Sequence, residues 1–563
     1  MKIRTVSSNV AYLEQNDSVL KCNCIARSTA VYLNSSRDYQ EEATIIKVDD
    51  SANVVTIYPH GSETIDGAAS VTLSRENDSK TLVPVDGGWA ASTDNTDISS
   101  QLADTSINVK NFGATGDGTT DDTSAFERAI IAAGIGGKVF VPKGNYITNR
   151  LYLLDSQSFF GVGAGSKLKL KAQHIASPGG FGGVLNATGT ISENIKNVHI
   201  FDIYVDGNSA GITTPVPGTD DIDIECINLK YAENCIVNNV FVINAVDSGV
   251  DFDNSINCSV TGVRAEDCGG YAVHLSTASE NITVSDSFAV SCGFAHLRGG
   301  FDTYTGVKNC KYVNCHTTSC NIGFNIKGDD NQLVNCSDSA ATANAMRLEG
   351  VKNKVVNFAA KNSANNSISI PSSYNNLLNV SVDGANACFY VEGNNNKLTN
   401  CTAKASVDGF KLIGPSNVLI SCLSVDATRY GYELTGAYNG LTSCTCDNAA
   451  TNALRITAAS QRIVNFDARN TGSTDTAIYV NSVKNVFIGG SSRDNGKSGM
   501  WIDVVADNIV QGMSFIGNDT YGLVLFGSNV KVLGCIFEGN TSGAVNNTGS
   551  GNKYLMNLGL ADN

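Results

Sequence analysis

The chain has 563 residues, a formal net charge of −15 and a pI near 4.9. Only 17% of its residues are charged, and 55 Gly stand against 8 Pro. A surface this acidic argues against nucleic acid and anionic membrane as main partners, and it opposes long-range attraction of a polyanionic glycan unless a local basic patch intervenes.

The opening stretch, MKIRTVSSNVAYLEQ, has no apolar core of the kind a secretory signal needs. No later run reaches the length of a membrane span. The expectation is a soluble chain made in a cytoplasm, without membrane insertion. Residues 1–92 show short alternating runs, TIIKV, VVTIY and SVTLS, separated by turn signals, with the last strand-like stretch ending near Trp89. They read as a small β module. Residues 93–106, TDNTDISSQLADTS, read as a polar linker.

From 107 the character changes. Asp122 or Thr123 can cap a short helix over about 124–133. Phe126, Ala129, Ile130 and Ala133 fall on one side of it. Gly134, Gly136 and Gly137 end it, and KVFVP begins the first strand. This helix is expected to cover the open end of a stack of strands.

The remainder of the chain is a ladder. An Asn-rich phrase recurs every 20–24 residues or so: AENCIVNN at 232, SINCSVTG at 255, SENITVSD at 279, VKNCKYVN at 307, and onward to NVKVLGCI at 529. Each unit carries a second, alternating strand: GVDFD at 249, AVHLS at 272, GFDTY at 300, GFNIK at 323, AMRLE at 345, and so on to GLVLF at 522. Positions two and four are mostly apolar, so positions three and five point outward. A unit this short cannot bury its own apolar face, whereas stacked units can. The spacing predicts insertions at about 206–223 and 293–300. The 17 cysteines include no CxxC pair. Cys310, Cys315 and Cys320 fit no common zinc spacing. Cys235, Cys258, Cys310, Cys336 and Cys401 each follow Asn, as expected of small residues stacked at a turn.

The 107–148 segment closely resembles the N-terminal signature of the pectate-lyase-like superfamily. The matching residues are Phe112, Gly113, Ala114, Gly116, Asp117 and Gly118, then Asp121, Asp122, Thr123, Ala125 and Ala129, then Gly136, Gly137, Val139, Pro142, Gly144 and Tyr146. The resemblance implies an all-β, right-handed, single-stranded parallel β-helix over about 107–563, with an N-terminal capping helix, of the type found in phage tailspikes. Residues 45–89 resemble a module of phage tail-fibre proteins, which implies attachment to a phage tail or baseplate, or a spacer. By the same analogy the assembly is a homotrimer carried on the virion tail and acting outside the cell.

The ladder's own register supplies candidate site residues. Position three aligns Asn228, Asp251, His274, Asp302, Asn325 and Arg347 in one column. Position five aligns Lys230, Asp253, Ser276, Tyr304, Lys327 and Glu349 beside it. Neighbouring rungs lie about 4.8 Å apart, so Asp251 and Asp302 are roughly 9.6 Å apart at the backbone. Inverting glycosidases separate their carboxyls by about 6.5–9.5 Å to admit water. Asp251 and Asp302 are therefore the expected acid–base pair, with His274 tuning or binding and Asp253 and Glu349 as rivals. Tyr304, Lys327 and Arg347 are candidate sugar contacts, and the inserted loop brings His296 and Arg298 over the site. Tyr390, Tyr479 and Trp501, further along, could stack on sugar rings.

The leading functional reading is a tailspike-like depolymerase that hydrolyses bacterial capsule or O-antigen, with no cofactor or metal called for. A lyase, with His274 or Lys327 as base and Arg347 or a cation stabilising charge, is one alternative. A non-catalytic glycan-binding spike is another.

Overall fold

The computed structural model describes the chain apart from residues 1, 15–16, 37–42, 50, 75–78, 92–105, 175–181, 214–223, 295–297, 504–506 and 560–563. It forms two compact units, Met1–Ile107 and Asn108–Asn563. Among the described residues, no helix is long and apolar enough to cross a membrane.

The first unit holds a six-stranded and a four-stranded sheet. Its strands include Ala43–Lys47, Val55–Tyr58 and Val71–Leu73, the three runs that alternate in the sequence. Alternation puts Leu20, Val31, Ile45, Ile57, Leu82 and Trp89 into a common core. Nearly all of the expected linker lies outside the described residues.

The second unit is a parallel β-solenoid of about 22 turns. One coil shows how the sequence closes: Lys311–Val313, His316–Thr318 and Ile322–Ile326 are three strands, paired in parallel with Gln332–Val334, Ser337–Ser339 and Asn344–Leu348 of the next coil. Each coil therefore has three strands where the sequence pattern showed two. The middle strand is only three residues long, too short for alternation to register. The chain turns at left-handed residues, here Asn309, Asn314 and Ser319 with φ of 57°, 52° and 55°. Asn tolerates this region better than most side chains.

The residue after each corner points inward. Cys310, Cys315 and Cys320 thus sit at three different corners of one coil, all buried. Their five-residue spacing is the spacing of corners, and no three potential metal ligands converge among the described residues. At the first corner the inward residue also accepts a hydrogen bond from the coil before it. The Cys310 N–H donates to Asn331 Oδ1 at 2.8 Å, Asn331 N–H to Asn353 Oδ1 at 2.8 Å, and Asn353 N–H to Asn375 Oδ1 at 2.8 Å. The ladder continues through Asn396, Asn417, Asn439, Gln461, Asn485 and Asn508. In earlier coils a thiol fills the role: the Cys235 N–H meets Cys258 Sγ, and the Ile282 N–H meets Cys310 Sγ, each at 3.4 Å.

The helix Thr123–Ala133 buries Phe126, Ala129, Ile130 and also Ala125, while Ala133 is only half-buried. Phe126 meets the Tyr146 ring edge-on at 5.3 Å. Asp122 stands at the N-cap, yet its carboxylate does not cap the helix. It accepts instead from the Thr115 N–H at 2.7 Å and the Gly116 N–H at 3.1 Å, tying down the Gly-rich turn. A Cβ at Gly116 would lie 2.6 Å from the Tyr146 ring, so this φ of +65° must be glycine.

Candidate active site

One face of the solenoid carries the expected column. Strand register runs Tyr152, Asn186, Asn228, Asp251, His274, Asp302, Asn325 and Arg347 up successive coils. These side chains point out of the coil, yet most are not exposed as expected. Asn228, Asp251 and Asn325 are buried, Asp302 is wholly so, and Arg347 alone among the last six is exposed. Segments outside the strands line the cleft above the column, among them Gly182, Glu225, Asp247 and Arg298, so an outward direction does not mean contact with water. The cleft has a volume of about 500 Å³ and is floored by Asn186, Asn228, Asp251 and His274.

Four side chains on consecutive coils form a continuous row of polar contacts. The His274 Nδ1 lies 3.2 Å from Asp251 Oδ1, and its Nε2 lies 3.1 Å from Asp302 Oδ2. Asn325 Nδ2 donates to the other Asp302 oxygen at 2.9 Å. The imidazole therefore occupies the gap where a water between two carboxylates was expected. Asp302 is screened from the cleft by the ring it holds. Its backbone carbonyl is fixed by the inward-facing Tyr312 hydroxyl at 2.8 Å.

Residues 106–336 match the model of a family described as rhamnogalacturonase A/epimerase, pectate lyase-like. The match covers about two fifths of the chain. Among curated proteins, the pre-neck appendage protein of Bacillus phage B103 is 28% identical over 226 residues, covering 38% of this chain and 23% of that one. The corresponding protein of Bacillus phage phi29 is 26% identical over 242 residues, covering 42% and 26%. The matched stretch thus spans about a quarter of these relatives. Among solved structures, the N-terminal fragment of phage phi29 gene product 12 aligns with a TM-score of 0.48 at 12% identity, over 82% of this chain and 95% of that one. The Dettilon tailspike aligns with a TM-score of 0.43 at 15% identity, over 60% and 66%.

Within the matched segment, charge is arranged in linked pairs. Burial works against a charged His274, but the Asp251 and Asp302 carboxylates outweigh it and lift the ring to about 10. Burial also raises the Asp251 carboxyl, against the pull of His274. Asp253 shares the Asp251 strand and side. It is held by Lys230 Nζ at 2.8 Å and Asn254 Nδ2 at 2.8 Å. Arg298 pairs with Asp247 and lies over the Tyr271 ring at 5.7 Å. Tyr271 in turn packs on the His274 ring at 4.5 Å.

The cleft brings together Asp251, His274, Asp253, Tyr304 and Arg298, with Asp302 behind them. Lys327 stands over the Tyr304 ring at 5.4 Å, just outside the lining. Glu349 is not in the cleft; it pairs with Arg347 at 3.0 Å. Tyr390, Tyr479 and Trp501 lie four, eight and nine coils beyond Asp302 in the same column, half-buried. At about 4.8 Å per coil they are roughly 19, 38 and 43 Å away. His296 lies outside the described residues. Sequence reasoning missed Glu225, Asp247 and Tyr271, which stand in segments between strands where alternation assigns no direction.

Proposed function

We propose that this cleft hydrolyses a glycosidic bond, and that the chain is a phage tail-associated depolymerase of a bacterial surface polysaccharide, capsule or O-antigen. The observation that carries the reading is the Asp302–His274–Asp251 row of contacts, which ends in the cleft beside a second carboxylate, Asp253. Asp251 is the general acid, because burial favours its protonated form. Asp253 is the base. The pair stands two strand residues apart on one side, about 6.6 Å at Cα, and both side chains line the cleft. Asp251 gives its proton to the leaving oxygen as the C–O bond breaks. Asp253 takes a proton from the water that attacks the opposite face of the sugar. His274 and Asp302 position the acid rather than react.

The pectate-lyase-like family description and the phage appendage relatives support a glycan-directed tail protein. The proposal extends to the N-terminal unit as the attachment to tail or baseplate, and to a homotrimer. Light scattering that gives a monomer at micromolar concentration would remove the trimer.

The test is incubation with a panel of purified capsules and lipopolysaccharides, followed by mass spectrometry and reducing-end assay. Depolymerisation with new reducing ends, lost in Asp251→Asn and Asp253→Asn, is expected. Ultraviolet-absorbing unsaturated products would replace hydrolysis by elimination. Binding without any fall in polymer size would replace it by a glycan-binding spike.

A further inference from the structure

Among the described residues, every cation that lines the cleft is already engaged by a carboxylate. The Lys230 ammonium sits on Asp253 at 2.8 Å, Arg298 on Asp247, and the His274 ring between Asp251 at 3.2 Å and Asp302 at 3.1 Å. Glu225, buried at 3% exposure, adds a further carboxyl to the wall. With Asp302 behind the His274 ring included, five carboxyls thus face three cations among the described residues, a formal balance of −2. The remaining lining is uncharged and rich in hydrogen-bonding groups: Asn186, Asn228, Ser276, Thr277 and the hydroxyls of Tyr152 and Tyr304.

A uronate entering this space would bring a carboxylate into a half-enclosed, already negative site. It would lose water without gaining a counter-charge, which is costly. Sugar hydroxyls and amide N–H groups meet the opposite situation, since they donate to carboxylate oxygens. Elimination or epimerisation beside a carboxylate also needs positive charge to stabilise the carbanion, and here that charge is spent on the protein's own acids.

We infer that the sugar held across the bond to be cut carries no carboxylate: it is a neutral hexose, a deoxyhexose or an N-acetylated sugar. Acidic units of the polymer, where present, fall toward the coil of Lys327, outside the cleft. This inference rests on the hydrolytic reading above and narrows its substrate.

Two experiments on the full chain separate the inference from that reading. In the first, polysaccharides with wholly neutral, mixed and wholly uronic repeats are digested, and new reducing ends are identified by mass spectrometry after reduction with borodeuteride. A neutral sugar at every new end is expected, with the polyuronate cut at least about a hundredfold more slowly. A uronic acid at the new end, or a polyuronate rate within tenfold of the neutral one, overturns the inference while leaving hydrolysis standing. In the second, methyl glucoside, methyl N-acetylglucosaminide and methyl glucuronide are titrated into the chain while the His274 ring resonances are followed. Shifts with the neutral probes and none with the glucuronide support the inference even if no polymer is cut, in which case hydrolysis alone fails. A stronger response to the glucuronide overturns it.

Discussion

Asp302→Asn isolates the logic of the site, because it keeps the shape of the side chain and removes only its charge. His274 rises from the ordinary 6.5 to about 10 in the folded chain. At about 1.36 kcal/mol per pH unit, that is about 5 kcal/mol in favour of the charged ring. Burial opposes the charge, so the two carboxylates together supply more than this. They lie at 3.2 and 3.1 Å, so each supplies about half, at least ~2.5 kcal/mol. Removing one while the burial cost stays should bring the ring to about 8 or below. The stability consequence has a fixed sign. A raised histidine stabilises the fold fully below its unfolded value, and the contribution is lost as pH rises from about 6.5 through about 10. The variant should therefore be less stable than the wild type at pH 6 and lose less between pH 7 and 10. Asp251 should respond in the opposite sense. With Asp302 gone, the imidazolium serves Asp251 alone, its carboxyl acidifies, and the alkaline limb of any hydrolytic activity moves to lower pH. The assay is NMR of ring-labelled histidine; the chain has six, and His274→Gln assigns the signal. A wild-type ring already neutral at pH 8, or a variant ring still titrating near 10, refutes the argument.

Three further outcomes test the scaffold. Asn375→Ala should cost about 2–4 kcal/mol, since it orphans the buried Asn353 N–H and breaks the 3.1 Å bond to Ser372 Oγ. Asn375→Cys should recover part of that, because Cys310 Sγ accepts the equivalent N–H; hydrogen exchange at Asn353 reads both, and equal losses contradict the ladder. Asp338 faces the core, where burial lifts its carboxyl from 3.8 to about 6 despite the 2.7 Å bond from Thr317. A raised acid favours its neutral form, so the fold loses about 3 kcal/mol as pH rises from about 4 to about 6. Asp338→Asn should abolish that loss in urea titrations, stabilising the chain at pH 7 and changing little at pH 3.5. Phe126→Ala, at the centre of the capping helix, should cost about 3–5 kcal/mol, seen first as faster amide exchange over 123–148.

The parts of the molecule that were legible in the sequence are those that stacking forces to repeat. In-register parallel coils place position three above position three, which is why Asp251, His274 and Asp302 could be aligned from the repeat alone. The corners were visible as Asn for the same reason. Legibility ends where repetition ends. The middle strand, exemplified by His316–Thr318, has one inward residue between two corners and offers no alternation to read. Asp247 and Arg298 belong to connections whose paths differ from coil to coil, so neither their pairing nor the cover they give the column could be seen. That cover turns what alternation reads as a solvated row of acids into a buried one, where desolvation raises the Asp251 carboxyl.

In-register stacking also explains why the site lies where it does. A column of like charges at about 4.8 Å intervals repels itself, so the outward columns alternate in sign. Lys230 stands beside Asp253, and Lys411, Glu433 and Arg455 follow one another with contacts of 3.0 and 2.7 Å. In that second cluster two cations share one carboxylate, and the surplus charge is positive. At His274 the count is inverted: two carboxylates share one cation, and the surplus charge is negative. Both arrangements satisfy the column, but only the inverted one lies beneath a cleft among the described residues. Lys411→Glu would give Glu433 a like-charged neighbour but no cleft; it should destabilise the coil and leave activity at Asp251 unchanged. A loss of polysaccharide cleavage in a folded Lys411→Glu chain would place part of the catalytic machinery in the distal cluster and break this distinction.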